Sequence, residues 1–213
     1  MEKATLKMLP VGQYAGVDRE DPIRFYRYPI VGRIYRRRIE LCLDELSGGS
    51  RVLEVGFGSG VTFLNLNEKY KEIHGLDLKA DVDKVAGVFK KLGILTFLKN
   101  GSLLSMPYPD NYFDSILLIS ILEHIMPEDQ PKAFQEIKRV LKNGGEVVYG
   151  VPAETPFMNI AFRFLGYDIL KYHFSNERQI LFAAEAVLKK IKVLEITRWP
   201  IGKVYEVCRL TKE

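Results

Sequence analysis

Cysteine and long apolar runs are both scarce in this sequence, which limits the classes of protein it can be. Cys42 and Cys208 are the two cysteines among 213 residues, too few for a scaffold held together by disulfides. Both lie in apolar patterns far apart in the chain, so they are predicted to be buried free thiols. The longest apolar run, residues 116–122 with a serine inside it, is much shorter than the ~20 residues of a membrane-spanning helix.

A signal peptide and a strong charge of either sign are also missing. The N-terminal residues lack the apolar core of a secretion signal, so the sequence predicts a soluble cytoplasmic protein without a transmembrane segment. The net charge of +4 permits an anionic partner without requiring one, and no nucleic-acid partner is expected. With 47% hydrophobic residues and no internal repeat, residues 1–213 predict a single domain with a substantial core.

The most informative stretch is RVLEVGFGSG, residues 51–60. Residues 51–55 are mostly apolar and end at a glycine, as is typical of a buried strand. Gly56, Gly58 and Gly60 follow at alternating positions, where the missing side chain lets a ligand approach the main chain. The next residues, VTFLNLNEKY, predict a helix whose free N–H groups face the loop. Strand, glycine turn and helix start together predict a nucleotide-binding site.

The spacing of these glycines indicates which kind of nucleotide the loop favours. A dinucleotide fingerprint reads G-x-G-x-x-G and accommodates a pyrophosphate. Here the order is G-x-G-x-G, and Glu54 precedes the first glycine by two positions. A carboxylate repels a phosphate and attracts an ammonium or sulfonium group. The loop therefore favours a nucleoside with a positively charged amino-acid tail.

Three segments carry a resemblance to a known family. EVGFGSG, residues 54–60, resembles the first motif of the class I S-adenosylmethionine-dependent methyltransferases. NGSLLSMPYPDNYFD, residues 100–114, is similar to that family's G-D-A-x-x-L-P-F-x-D-x-x-F-D stretch, and LKNGGEVV, residues 141–148, to its L-K-P-G-G element. The resemblance covers residues 51–151. It implies S-adenosylmethionine as cofactor and an α/β fold: a Rossmann-like, seven-stranded, mostly parallel sheet with helices on both faces and one antiparallel strand near the edge.

The resemblance also implies roles for residues beyond Glu54 and the three glycines. Asp77 ends a predicted strand, residues 72–77, where its carboxylate would accept both ribose hydroxyls; the alternative is an acid that caps a turn. Leu78 would then lie against the adenine. Ser102 stands where the family commonly has an acid, and its hydroxyl, together with the backbone of Leu103, would contact the adenine edge.

The end of the predicted strand 113–119 is expected to face the acceptor, because open α/β sheets bind ligands beyond the carboxyl ends of their strands. Ser120 is assigned to the cofactor, and His124 is the candidate general base; a histidine that caps the strand fits the same position. The segment lacks the [DN]-P-P-[YF] motif of enzymes that methylate DNA bases or glutamine. Its Leu-Glu-His form resembles the branch that includes quinone, lipid and other small-molecule methyltransferases.

The outer parts of the chain are predicted to recognise the substrate. Residues 1–50 are interpreted as a loose arm followed by two helices that fold over the cofactor, residues 152–190 as a helical insertion, and residues 191–213 as a final strand pair. The lid and pocket-mouth candidates are Tyr14, Arg24, Tyr26 and His173.

Two features of these outer parts bear on the acceptor. The apolar segment 152–170 and the arginines within residues 33–38 together favour a small-molecule or amphiphilic acceptor and permit peripheral contact with a membrane. The alternatives are plain burial for the first feature and a solvated helix face for the second.

The chemistry that the resemblance implies is in-line transfer of a methyl group, and no metal site is predicted. Two rival functions stay open. One is a protein that binds the cofactor without catalysis. The other is a nicotinamide-dependent oxidoreductase, against which the glycine spacing and Glu54 both argue.

Overall fold

The computed structural model describes residues 3–16, 21–153, 173–198 and 202–213. Seven strands in these ranges form one sheet in the order β3-β2-β1-β4-β5-β7-β6. Their bounds are β1 Gly49–Val55, β2 Tyr70–Asp77, β3 Thr96–Asn100, β4 Phe113–Ile119, β5 Leu141–Pro152, β6 Lys189–Arg198 and β7 Gly202–Thr211. The pairs from β3 to β5 are parallel, and β7 is antiparallel to both β5 and β6. The predicted fold class, including its one antiparallel strand near the edge, is confirmed.

The two central strands, β1 and β4, follow from their composition. Val52, Leu53 and Ile116 are fully buried, as expected where helices cover both faces of a parallel strand. β2 pairs with one edge of β1 and β4 with the other. This reversal of strand order opens a crevice at the carboxyl ends of β1 and β4, which is where open α/β sheets bind ligands.

Five α-helices in the described residues cover the sheet: α1 Pro29–Asp44, α2 Phe63–Lys69, α3 Val82–Lys90, α4 Gln130–Val140 and α5 Glu177–Glu185. The apolar side chains of α1, α2 and α3 share one core with one face of the sheet, and those of α4 and α5 share a second core with the other face. None of the helices in the described ranges combines the length and apolar character needed to cross a bilayer.

The N-terminal region is more closely packed than the predicted loose arm. Leu6 is buried in the core beside α2, and the backbone N–H of Lys7 donates to Oδ1 of Asn65 at 2.9 Å. The first of the two helices expected after the arm is a 3-10 helix over Pro22–Arg27, and Asp21 caps it by accepting from the Ile23 N–H at 2.8 Å. The prediction for residues 152–170 falls, apart from its first two residues, outside the described part of the chain.

Gly60 has a structural role that its place in the glycine motif does not reveal. It holds a left-handed backbone with φ +70°, and an added Cβ would lie 2.7 Å from the Phe63 ring and 2.8 Å from the Phe89 ring. We expect Gly60→Ala to lower the free energy of unfolding by ~1–3 kcal/mol, because both the backbone angle and the packing oppose a side chain. Urea denaturation measures this change.

Gly87 provides the matched control for that substitution. It lies in α3, and an added Cβ there would meet no atom within 4 Å. Gly87→Ala is therefore expected to raise the free energy of unfolding by up to ~1 kcal/mol, because alanine favours the helix. Equal effects of the two substitutions would contradict the packing role of Gly60.

Candidate functional site

A cavity of about 410 Å³ lies at the carboxyl ends of β1, β2 and β4. The structure brings ten of the predicted site residues into its wall: Tyr26, Glu54, Gly56, Gly58, Asp77, Leu78, Ser102, Leu103, Ser120 and His124. Residues of the glycine loop and of the segment that begins at Asp21 line it together. The cavity therefore occupies the crevice that the strand order predicts.

The glycine loop after β1 is shaped by its backbone. Gly56 and Gly58 both have positive φ, and the N–H of Gly56 donates to the carbonyl of Leu76 at 2.7 Å. A Cβ on Gly56 would lie 1.9 Å from the side chain of Ile121. The positive φ and the close approach of Ile121 both favour glycine at position 56, and the bare backbone of this loop is open to the cavity.

Glu54 is the one charged side chain of β1 that faces the cavity. It is 3% exposed, and its carboxylate accepts a hydrogen bond from the Thr62 hydroxyl. Burial raises the pKa of Glu54 to about 8; the Thr62 hydrogen bond opposes this shift, and the charge of Asp77 adds to it. A carboxyl group with this pKa is protonated at neutral pH unless a cation lies beside it.

Asp77 organises two loops at once. Its Oδ2 accepts from the N–H of Gly58 at 3.0 Å, and its Oδ1 accepts from the N–H groups of Lys79 at 2.8 Å and Ala80 at 3.0 Å. The carboxylate thereby links the glycine loop to the turn that follows β2. The turn-capping role, given above as the alternative for Asp77, is present, and it leaves the carboxylate at the cavity wall.

Sequence reasoning missed the second role of Asp21. Besides capping its helix, this side chain accepts from the Ser59 N–H through Oδ2 at 3.0 Å. It therefore fastens the N-terminal segment onto the glycine loop, and Tyr26 of the same segment lines the cavity. No pattern in the sequence joins residues 21 and 59, because the contact depends on how α1 packs on the sheet.

Arg38 is the second residue that sequence reasoning missed, since it was grouped with the arginines of a solvated or basic helix face. Its guanidinium lines the cavity, donates from Nη1 to Ser120 Oγ at 3.2 Å and lies 3.9 Å from the ring centre of Tyr35. Nε is buried and has no hydrogen-bond partner among the described residues. Arg38 thus brings a positive charge to the cavity wall.

The far end of the cavity contains the predicted adenine contacts. Leu103 is 4% exposed, and the hydroxyl of Ser102 accepts from the Leu104 N–H at 3.1 Å. Leu78 is 71% exposed and leaves an apolar surface at the rim. These positions combine a flat apolar contact with polar groups, as the binding of an aromatic base requires.

Ser120 and His124, which follow β4 in the chain, also line the cavity. Ser120 has φ +55°, unusual for a residue with a side chain, and its Oγ lies 3.1 Å from the hydroxyl of Tyr205. His124 lines the cavity, and the ring centre of His173 lies 5.3 Å from that of His124. Burial, with a smaller contribution from His124, lowers the pKa of His173 to about 4.

Four predicted site residues lie outside the cavity wall. Gly60 packs against aromatic rings, and the ring of His173 lies next to that of His124. The hydroxyl of Tyr14 accepts from the Leu9 N–H at 3.1 Å, which fixes it within the N-terminal region. The guanidinium of Arg24 lies 4.9 Å from the ring centre of Phe25.

Comparisons with known proteins agree with this geometry. Residues 53–149 match a family model described as "Methyltransferase domain". An uncharacterized methyltransferase of Anoxybacillus flavithermus is 31% identical over 111 residues, which cover 52% of this chain and 50% of that protein. The matched region spans about half the length of the curated relatives.

Solved structures share the fold at low sequence identity. N-methyltransferase NodS of Bradyrhizobium japonicum, in complex with S-adenosyl-l-homocysteine, is 16% identical, with a TM-score of 0.69 over 92% of this chain and 94% of that one. The [4+2]-cyclase SpnF is 18% identical, with a TM-score of 0.69 over 93% of this chain and 86% of that one. These likenesses concern the fold alone.

Proposed function

We propose that this chain, a class I S-adenosylmethionine-dependent methyltransferase by the match of its residues 53–149, binds S-adenosylmethionine in the cavity. We propose further that it transfers the methyl group to a small-molecule acceptor. The family resemblance predicted from the motifs is confirmed; the activity and the acceptor are proposals. The observation that supports both proposals is the buried carboxyl group of Glu54 beside a bare glycine loop, with Asp77 at the end of β2.

The amino-acid tail of the cofactor fits the charges at the ends of β1 and β4. Glu54 would ionise when the ammonium group of the tail lies beside it, since a nearby cation favours the charged form of a carboxyl group. Arg38, which lines the same cavity, would receive the carboxylate of the tail through its guanidinium charge. The carboxyl group of Glu54 and the guanidinium group of Arg38 match a zwitterion better than a diphosphate, which carries negative charge only.

The nucleoside fits the opposite end. Asp77 lies at the end of β2, as required for a carboxylate that accepts the ribose hydroxyls. It also accepts a hydrogen bond from the N–H of Gly58 in the glycine loop, which brings the two parts of the site together. Leu78 offers its exposed side chain to one face of the adenine. The hydroxyl of Ser102 and the backbone of Leu103 would contact the adenine edge.

The chain itself has little covalent work to do. The cofactor supplies an activated methyl group, which an acceptor atom attacks while the bond to sulfur breaks and sulfur keeps the electron pair. The residues around the cavity hold donor and acceptor in line, and such positioning is worth roughly 7–11 kcal/mol. His124, which lines the cavity, would remove a proton from an acceptor that has to lose one.

The N-terminal segment would act as the lid over the cofactor. Asp21 attaches it to the glycine loop, and Tyr26 closes one wall of the cavity. An acceptor would then enter beside His124. A small molecule, or the reactive end of an amphiphile, suits a cavity of about 410 Å³ that the cofactor shares.

Calorimetry tests the binding. We expect S-adenosylhomocysteine to bind with one-to-one stoichiometry, 5′-methylthioadenosine to bind at least tenfold more weakly because it lacks the charged tail, and NADH to give no heat. Tight NADH binding, or equal affinity for the two adenosine ligands, would contradict the assignment of the cavity.

Methyl transfer tests the catalysis separately. The protein is incubated with methyl-labelled S-adenosylmethionine and a small-molecule extract, and label is expected in an extractable product. Binding without transfer across extracts of polar and apolar metabolites would favour the non-catalytic rival. SpnF, named as a [4+2]-cyclase, makes this second measurement necessary, because the shared fold does not decide the chemistry.

A further inference from the structure

Two of the three histidines of this chain lie close to a buried carboxylate beside the cavity. One ligand atom each from Glu123, His124 and His173 lies within 4.8 Å of the others. Glu123 is 2% exposed, His124 is exposed and His173 is half-buried. The group thus runs from the protein interior to the open space at the end of β4.

Backbone hydrogen bonds hold the two segments of this cluster together. The N–H groups of Phe174 and Ser175 both donate to the carbonyl of Glu123, at 2.8 and 3.3 Å. The hydroxyl of Ser175 donates to the carbonyl of Ile125 at 2.7 Å. His173 is therefore anchored next to the 3-10 helix Leu122–His124 although 49 positions separate it from His124 in the chain.

We propose that Glu123, His124 and His173 bind a divalent transition-metal ion of the Zn²⁺ or Co²⁺ type. Two imidazoles and one carboxylate suit these ions, whereas Mg²⁺ and Ca²⁺ prefer oxygen ligands. Bonds of about 2.0–2.2 Å in a tetrahedron place ligand atoms about 3.4 Å apart, so no two of these ligand atoms need to approach by more than about 1.4 Å. Rotation of the exposed His124 ring can supply part of this movement.

The place of the cluster gives the ion a role in the proposed reaction. His124 lines the cavity, and three protein ligands would leave a fourth coordination position that an acceptor entering beside His124 could occupy. An ion there would bind an acceptor hydroxyl and lower its pKa, and His124 would serve as ligand instead of base. This role rests on the proposed function, whereas ion binding itself does not.

Titration of the full-length protein with Co²⁺ tests the site, because tetrahedral Co²⁺ ligated by imidazole absorbs strongly in the visible range. We expect one Co²⁺ per chain, displaced by Zn²⁺. His124→Ala and His173→Ala should each weaken binding at least tenfold, and Glu128→Gln, an exposed acid close in sequence, should leave binding unchanged. Circular dichroism verifies that each variant is folded.

Two results would overturn the site: no visible band for the wild-type protein, or equal Co²⁺ affinity in wild-type protein and both histidine variants. Binding of S-adenosylhomocysteine is measured in parallel in metal-free protein. If S-adenosylhomocysteine does not bind while Co²⁺ does, the proposed function is refuted and the metal site stands. Failure of the proposed function and failure of the metal site are therefore distinguishable.

Discussion

Replacing Glu54 with glutamine should stabilise the unliganded protein, and most strongly at alkaline pH. The pKa of Glu54 is about 8 in the folded protein, against 4.5 for an ordinary glutamate. Between these two values the folded state retains a proton that the unfolded state has lost. The contribution of the neutral Glu54 side chain to the free energy of unfolding is therefore fully present below pH 4.5. It is lost as the pH rises toward 8, by up to ~1.4 kcal/mol per pH unit.

Glutamine has no proton to lose, so Glu54→Gln should abolish this pH dependence. We expect the variant to unfold with a free energy ~2–4 kcal/mol above that of the wild type at pH 8, and within ~1 kcal/mol at pH 5. Urea denaturation at the two pH values measures both differences. A variant that loses stability from pH 5 to pH 8 as steeply as the wild type would contradict the buried, protonated state of Glu54.

The same substitution should weaken cofactor binding although it stabilises the fold. The amide cannot attract the ammonium group of the tail, and we expect a ~10- to 100-fold loss of affinity for S-adenosylhomocysteine at pH 8. Glu72 is the control: it lies on β2, where the Arg51 hydrogen bond lowers its pKa. Glu72→Gln should therefore leave affinity unchanged and should not stabilise the protein at any pH.

Asp77→Ala should abolish measurable cofactor binding. The carboxylate is the acceptor for three backbone N–H groups in two loops, and the same oxygens are proposed to receive the ribose hydroxyls. We expect a loss of more than 100-fold in affinity for S-adenosylhomocysteine by calorimetry. The free energy of unfolding should fall by ~1–3 kcal/mol, because three backbone donors, two of them in partly buried hydrogen bonds, lose their partner.

Two further variants separate the roles of Asp77. Asp77→Asn keeps one acceptor oxygen and should recover much of the stability but little of the affinity. Asp83→Ala removes an exposed acid from the first turn of α3 and should change both quantities only slightly. If Asp77→Ala bound the ligand like the wild type, the carboxylate would be a turn cap only and the ribose contact would be wrong.

The sequence alone determined the central architecture. Mostly apolar runs in β1 and β4, the glycines that follow β1 and the amphipathic pattern of α4 each depend on neighbours only a few positions away in the chain. Such local patterns determine where an element begins and ends, and their alternation implies a parallel sheet with its ligands at the strand ends. Glu54 and Asp77 could be placed at the cavity for the same reason.

Tertiary structure alone decided which side chains from distant segments meet. Arg38 belongs to a run of arginines that looks solvated in sequence, yet the packing of α1 directs its guanidinium to Ser120. Asp21 reaches the Ser59 N–H, and His173 reaches His124, across separations that no periodicity encodes. Contacts of this kind depend on helix packing and on the hydrogen bonds between loops, both of which form only when the whole sheet is assembled.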